Sequence, residues 1–237
     1  MSPAAGVAGR IAGTVRADIR ELAAYPVAHA EGCIKLDAME CPYELPPQVR
    51  DDIARAVRDT PLNRYPAADL SALRQAVKTA FGVPEAAGLL FGNGSDEVFA
   101  LLNQTYLEAG DNIVTSQYAF VAYQISARAC QAEVRLAAEP DYRADVDAML
   151  ALVDARTKLV YLSNPANPTG SYATAEEIRR LHAGLPAHVI LVIDEAYAEF
   201  VTEPDWESAF DLARTAPNIV VTRTFSKIHG LGGLRIG

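Results

Sequence analysis

Short apolar runs alternate with amphipathic stretches along most of this chain, and the alternation sets the expectation for its fold. Asn112–Ser116, Glu133–Ala137, Lys158–Leu162, Val189–Ile193 and Ile219–Thr222 have the length and β-branched content of strands. Leu89-Leu90-Phe91 reads as a further short strand. Helical stretches fall between them: one from about Ser95, then Val121–Cys130, then Asp145–Val153. The capping box Thr174-x-x-Glu177 opens another, which runs through His182. Nearer the N-terminus, Leu45-Pro46-Pro47 starts a helix through Val57 with Val49, Ile53, Ala56 and Val57 on one face. Asn63-Arg64-Tyr65-Pro66 is a loop. Asp69 caps a helix through Ala80, which Gly82-Val83-Pro84 ends. Residues 1–45 form an irregular lead-in. The β–α alternation predicts an α/β fold, a mainly parallel sheet with helices on both faces. Strand order is not written in such a pattern.

Composition narrows the function classes. The chain has 237 residues and is 50% hydrophobic, enough for one large domain or two small ones. Its net charge of −9 is spread along the chain, which argues against a nucleic-acid or anionic-membrane partner. Cys33, Cys41 and Cys130 lack Cys-x-x-Cys spacing and are expected to be reduced thiols, neither a disulfide framework nor a metal site. No stretch reaches the length of a membrane span. The alanine-rich N-terminus is interrupted by Arg10, Arg16, Asp18, Arg20 and Glu21, so it lacks the apolar centre of a signal peptide. The expectation is a cytoplasmic protein.

Candidate chemistry gathers at strand ends. Lys227, in Thr224-Phe225-Ser226-Lys227, follows the run Ile219–Thr222, and Asp194-Glu195-Ala196-Tyr197 closes the run Val189–Ile193. In an open α/β sheet, ligands bind at that carboxyl edge. A carboxylate ending an apolar strand needs a partner, either a cation on a ligand, a helix cap, or an ion pair with Arg223 or Arg235. Tyr197 can donate into the same place or pack as a core tyrosine. Gly92-Asn93-Gly94-Ser95-Asp96-Glu97 opens a helix whose first N–H groups suit a phosphate, or make a plain turn and cap. It is not a dinucleotide fingerprint, because Glu97 stands where the third glycine would be. Asn164-Pro165-Ala166-Asn167-Pro168-Thr169-Gly170 forms a rigid loop after the run Lys158–Leu162. Ser226 and Arg235 are natural donors to a phosphate. A Schiff-base lysine, a carboxylate for a ring nitrogen, donors for a phenolate oxygen and a phosphate cup together point to pyridoxal 5′-phosphate.

With these segments in this order, the chain resembles the fold-type I aminotransferases, and within them the histidinol-phosphate branch. Asp37–Pro46, Asn63–Pro66, Gly92–Glu97, Asn164–Gly170, Asp194–Tyr197 and Ser226–Gly237 carry the similarity, which runs from about residue 18 onward. The resemblance implies that Lys227 holds the cofactor and shuttles the substrate proton. It implies that Asp194 pairs with the pyridine nitrogen, and that Tyr197 and Asn167 bond the phenolate oxygen. Ser95, Asp96, Ser226 and Arg235 would hold the phosphate, and Phe120 would stack on the ring. Tyr65 would reach a neighbour's phosphate across a homodimer, and Tyr25 would touch substrate. The implied reaction is amino transfer between L-histidinol phosphate and 2-oxoglutarate, giving imidazole-acetol phosphate and L-glutamate in histidine biosynthesis. Another superfamily member, an aromatic aminotransferase or a phosphothreonine decarboxylase-like enzyme, and a non-catalytic cofactor-binding fragment stay open as alternatives.

Some positions depart from the family pattern. Met39 stands where relatives often carry asparagine, and His229 where an aromatic ring is common, the histidine being read as a neighbour of the site. The family pattern continues beyond Gly237, through more of the large domain and a C-terminal small domain with a carboxylate-recognising arginine. The resemblance therefore implies residues 1–45 as N-terminal arm and part of a small domain, and residues 46–237 as a cofactor-binding large domain incomplete at its C-terminus. It also implies little or no turnover by the 237-residue chain alone.

Overall fold

A computed structural model describes residues 9, 13–22, 31–66, 69–85 and 87–237. Its centre is a five-stranded, wholly parallel sheet of β1 (Asn112–Ser116), β2 (Glu133–Ala137), β3 (Thr157–Ser163), β4 (Ile190–Asp194) and β5 (Ile219–Thr222). The strands lie in the order β2-β1-β3-β4-β5. Chain order thus runs outward in both directions from the β1/β3 pair, and such a reversal opens a crevice beyond the carboxyl ends of the strands.

Side chains along each strand alternate between two cores, as a period of two requires. Val114, Val160, Leu162, Leu191 and Ile193 face one core, with Val146, Met149, Ile178 and Leu181. Ile113, Leu159, Tyr161 and Val192 face the other, with Phe99, Tyr123 and Ala127. The helices explain the division. α1 (Ala17–Arg20), α2 (Pro47–Asp59) and α3 (Ser71–Phe81) precede the sheet. α4 (Ser95–Tyr106) and α5 (Ala122–Ala129) cover one face, and α6 (Val146–Ala151) and α7 (Ala175–Gly184) the other. α8 (Phe210–Ala213) leads toward β5. Asp145 caps α6 by accepting from the N–H groups of Asp147 and Ala148 at 2.9 and 3.1 Å. Thr174 and Glu177 close the expected box at α7: Glu177 N–H donates to Thr174 Oγ1 at 3.3 Å, and Thr174 N–H donates to Glu177 Oε2 at 2.8 Å.

Two expectations change. Leu89–Phe91 is not a strand. It runs into a single antiparallel bridge, Asn93 with Ile236, beside which Gly92 and Gly237 exchange backbone hydrogen bonds at 2.9 and 3.2 Å. Three apolar residues between Gly88 and Gly92, with Leu90 exposed, make no ladder with the sheet. α2 forms and runs on to Asp59, but it has no buried residue, and Val49 and Val57 on its apolar face are exposed.

Candidate active site

The crevice holds a cleft of about 460 Å³, within the range of small-molecule sites. Lys227, Asp194, Tyr197, Asn167, Ser95, Asp96, Phe120, Ser226 and Arg235 all line it. They come from several different turns at the carboxyl edge. Asp194 ends β4, and Phe120 and Asn167 follow β1 and β3. Ser95 and Asp96 begin α4, and Ser226 and Lys227 follow β5.

Asp194 is buried and accepts three hydrogen bonds, from Tyr123 Oη to Oδ2 at 2.6 Å, from Thr222 Oγ1 to Oδ1 at 3.0 Å and from Ala196 N–H to Oδ1 at 3.3 Å. Burial pushes its carboxyl above the ordinary carboxylate range, while those donors pull it back. Neither arginine expected as an alternative partner reaches it. Arg223 pairs with Glu195 at 2.8 Å and Glu199 at 2.7 Å. Arg235 donates to Gly232 O at 3.0 Å, Asn93 O at 3.2 Å and Ser226 Oγ at 3.4 Å.

Lys227 is half-buried, its Nζ donating to Ala38 O at 3.0 Å and lying 5.4 Å from the centre of the Tyr197 ring. Burial lowers its pKa, opposed by the nearby charges of Asp96, Glu40 and Asp194. Asn167 Nδ2 lies 3.4 Å from Tyr197 Oη, so the amide and the phenol present donors side by side. At the other end of the cleft, Glu97 ties off the turn by accepting from Asn93 N–H at 2.6 Å and Asn93 Nδ2 at 2.8 Å. Gly94 takes φ +79° there, and the Arg235 guanidinium fills the space a side chain would need. The start of α4, Ser226 and Arg235 therefore form one cup of donors.

Phe120 lies edge-on to Tyr123 with ring centres 5.8 Å apart. Tyr65 is 99% exposed and lies outside the cleft. Tyr25 falls outside the described residues. Met39 lines the cleft with Asp37 and Ala38, so the lead-in segment forms part of the wall. His229 packs against Phe81 and Phe225, away from the lining residues. The reading of residues missed Tyr123 and Thr222. The signal for Tyr123 was its position in the first turn of α5, three residues after Phe120. The signal for Thr222 was its place at the end of β5, beside Asp194 in register.

Comparison with known proteins agrees with this arrangement. The family model described as aminotransferase class I and II matches residues 31–237. Histidinol-phosphate aminotransferase 1 of Caulobacter vibrioides is 56% identical over 176 residues, covering 74% of this chain and 49% of that protein. Histidinol-phosphate aminotransferase 2 of Bordetella parapertussis is 50% identical over 230 residues, covering 96% of this chain and 61% of that protein. Among solved structures, histidinol-phosphate aminotransferase from Sinorhizobium meliloti in complex with pyridoxal-5′-phosphate superposes with a TM-score of 0.81 at 28% identity. It covers 94% of this chain and 61% of that one. The chain thus spans between about half and three fifths of the length of these relatives. A family match over nearly the whole described sheet and cleft, with such relatives beside it, makes this chain a member of the class I and II aminotransferases.

Proposed function

We propose that this protein transfers an amino group between L-histidinol phosphate and 2-oxoglutarate, with pyridoxal 5′-phosphate held in the cleft. One observation carries the reading: an amine from the segment after β5 and a buried carboxylate from the end of β4 line the same cleft. The donor set fits the cofactor. Asp194 has only neutral hydrogen-bond partners and is suited to a protonated ring nitrogen. The cup of Ser95 and Asp96 N–H groups, Ser226 and Arg235 is suited to a phosphate dianion. The Asn167–Tyr197 pair is suited to a phenolate oxygen.

When bound, the cofactor supplies the electron sink for a carbanion at the substrate's α-carbon. The chain's residues supply the rest. Lys227 Nζ would anchor the cofactor, and its amine would take the proton from the substrate's α-carbon and deliver it to the cofactor's 4′ carbon. Its lowered pKa keeps a larger share of neutral amine near neutral pH than an ordinary lysine would have. Asp194 holds a proton on the ring nitrogen, Tyr197 and Asn167 stabilise negative charge on the ring oxygen, and Phe120 covers a ring face. Tyr65, at the tip of an exposed loop, is assigned to a neighbouring subunit's phosphate in a homodimer, and Tyr25 to the substrate. Residues 46–237 form the cofactor-binding domain, preceded by an arm over 1–45. The cytoplasm is the proposed location, and among the described residues no helix is long and apolar enough to cross a membrane.

The test is borohydride reduction of the cofactor-loaded protein followed by peptide mass spectrometry, together with glutamate formation from 2-oxoglutarate. A label on Lys227 that is lost in Lys227→Ala is expected, and whatever turnover occurs, little or none being expected of the 237 residues alone, should require histidinol phosphate and vanish in the same variant. Turnover that prefers aromatic amino acids, or that survives Lys227→Ala, would overturn the assignment.

A further inference from the structure

The hydrogen bond from Tyr123 to Asp194 is the shortest of the three that Asp194 accepts. A carboxylate offers about four acceptor positions over its two oxygens. Thr222 Oγ1 and Ala196 N–H converge on Oδ1, and Tyr123 Oη is the donor on Oδ2. Asp194 lines the cleft, so the acceptor position left on Oδ2 is the one a ligand N–H can use. Tyr123 is therefore the donor that holds Oδ2 in place, while Thr222 and Ala196 hold Oδ1.

Tyr123 has little freedom to move. It is fully buried, stacked on Tyr161 with ring centres 4.7 Å apart and planes 9° apart, and edge-on to Phe99 at 4.8 Å. Polar groups pin the stack. Tyr161 Oη donates to Asn103 Oδ1 at 2.9 Å, and Asn103 Nδ2 donates to Ser126 Oγ at 2.6 Å. Asn103 is on α4, Ser126 and Tyr123 are on α5, and Tyr161 is on β3. Two helices and a central strand thus lock one phenol beneath the site.

We propose that Tyr123 is a positioning residue, which holds Asp194 ionised and aimed at the cofactor's ring nitrogen through a buried network anchored by Asn103. The inference rests on the reading of the cleft as a pyridoxal phosphate site. Its physical logic is that of any buried group oriented by a partner behind it: the partner touches no ligand, yet sets how well the group in front binds. Among the described residues, Asp96 at the start of α4 and Lys227 after β5 act on Asp194 by charge, Tyr161 on β3 stands behind Tyr123, and Asp37, Tyr197 and Arg235 line the same cleft. A change at the Tyr123 hydroxyl leaves all of them in place.

Tyr123→Phe tests this, because it removes one oxygen and keeps the ring stack. Protein stripped of cofactor is titrated with pyridoxal 5′-phosphate and with its 1-deaza analogue, in which a C–H replaces the ring nitrogen. Tyr123→Phe is expected to weaken pyridoxal 5′-phosphate binding roughly tenfold or more and to leave the analogue's affinity unchanged. The acid limb of pyridoxal 5′-phosphate binding should move up by about one pH unit, since losing a donor to the ionised carboxylate raises its pKa. Equal losses for the two ligands, as a purely structural role predicts, or no loss for either, would overturn the inference. Failure of the unaltered protein to bind pyridoxal 5′-phosphate would instead overturn the reading of the site, and this inference with it. Should Tyr123→Phe not fold, Thr222→Val reads the same selectivity from the Oδ1 side, and loss without selectivity there counts equally against the proposal.

Discussion

Asp194 and Glu195 are neighbours in the chain, both buried, yet they stand in two different regions of the molecule. Asp194 meets the Tyr123 side of the sheet and the cleft, and every donor bonded to it is neutral. Glu195 meets the opposite side, where Arg223 Nε and Nη2 reach its Oε2 at 3.0 and 2.8 Å. Ser208 Oγ adds a donor at 2.8 Å and Ala209 N–H one at 2.6 Å. Burial raises the pKa of both carboxyls. Glu195 has a cation of its own chain bonded directly to it, whereas the groups bonded to Asp194 are all neutral and Lys227 acts on it only through space. The lesson is one of completeness. A buried carboxylate whose charge the fold itself balances belongs to the scaffold, whereas one supplied only with neutral donors and facing a cleft is set up for a cation that arrives with a ligand.

The largest expected effect comes from breaking the complete side. Arg223 also pairs with Glu199 and lies 4.8 Å over the Phe210 ring, so it ties the end of β5 to the segment between β4 and α8. Arg223→Met keeps most of the apolar stem but strands the Glu195 charge. It should cost about 3 kcal/mol, because removing one partner leaves an uncompensated buried ion. Urea unfolding should show a lower midpoint at unchanged slope. Adding Glu195→Gln to Arg223→Met should restore part of the loss, since it removes the stranded charge. A cost near zero for Arg223→Met would make the pair an ordinary surface contact and erase the contrast with Asp194.

The same contrast shows what could be read from sequence. β1, β2 and β5 are found at the residues their short runs indicated, because β-branched and apolar residues bounded by polar turns favour a strand in a parallel sheet. The cleft was legible because polar residues ending such runs must gather at one edge of a parallel sheet. The partner of Asp194 was not. Arg223 stands close in sequence to the lysine and looked available. But Asp194 and Thr222 are opposite each other in register, so the residues after them, Glu195 and Arg223, meet beyond the strand ends on the other side. Tyr123 escaped notice because a tyrosine in an amphipathic helix looks like core. Only the closed sheet shows its hydroxyl against the end of β4. The mistaken strand at Leu89–Phe91 fails for a related reason: an apolar run becomes a strand only where a neighbour offers a ladder, and here the neighbour is one bridge long.

Neutralising the incomplete side should act in the opposite direction. In Asp194→Asn the amide keeps the volume, and the hydroxyls of Tyr123 and Thr222 can each turn to donate or accept. The sign of the pH effect follows from burial. The folded pKa of Asp194 is raised, so its contribution to stability is fully present below the unfolded value and is lost as pH rises through the folded one. Cofactor-free Asp194→Asn should therefore melt above the unaltered protein at neutral pH, by about 2–4 °C if the gain is about 1 kcal/mol. The gain should vanish on acidification below the ordinary aspartate range, about pH 3.9. Its affinity for pyridoxal 5′-phosphate should fall. A lower melting temperature at neutral pH would mean that the neutral donors already compensate Asp194, leaving nothing for a ligand cation to supply.

The smallest effect sharpens the comparison most finely. Ser208→Ala removes one neutral donor from Glu195, just as Thr222→Val removes one from Asp194. On the Glu195 side, Arg223 remains on Oε2 and Ala209 N–H on Oε1, so the carboxylate stays paired on both oxygens. Ser208 Oγ also accepts from Phe210 N–H and from Arg223 Nη2, each at 3.2 Å, the first at the start of a four-residue helix. The total loss in Ser208→Ala should stay near about 1 kcal/mol, because Arg223 and Ala209 keep Glu195 paired on both oxygens once the hydroxyl is gone. Cofactor affinity should not move, since no lining residue of the cleft changes its partner. One lost hydroxyl would then register only as stability where a cation is built in, and as ligand affinity where it is not. Weakened cofactor binding in Ser208→Ala would show instead that the two carboxylates act as one unit through the strand end they share.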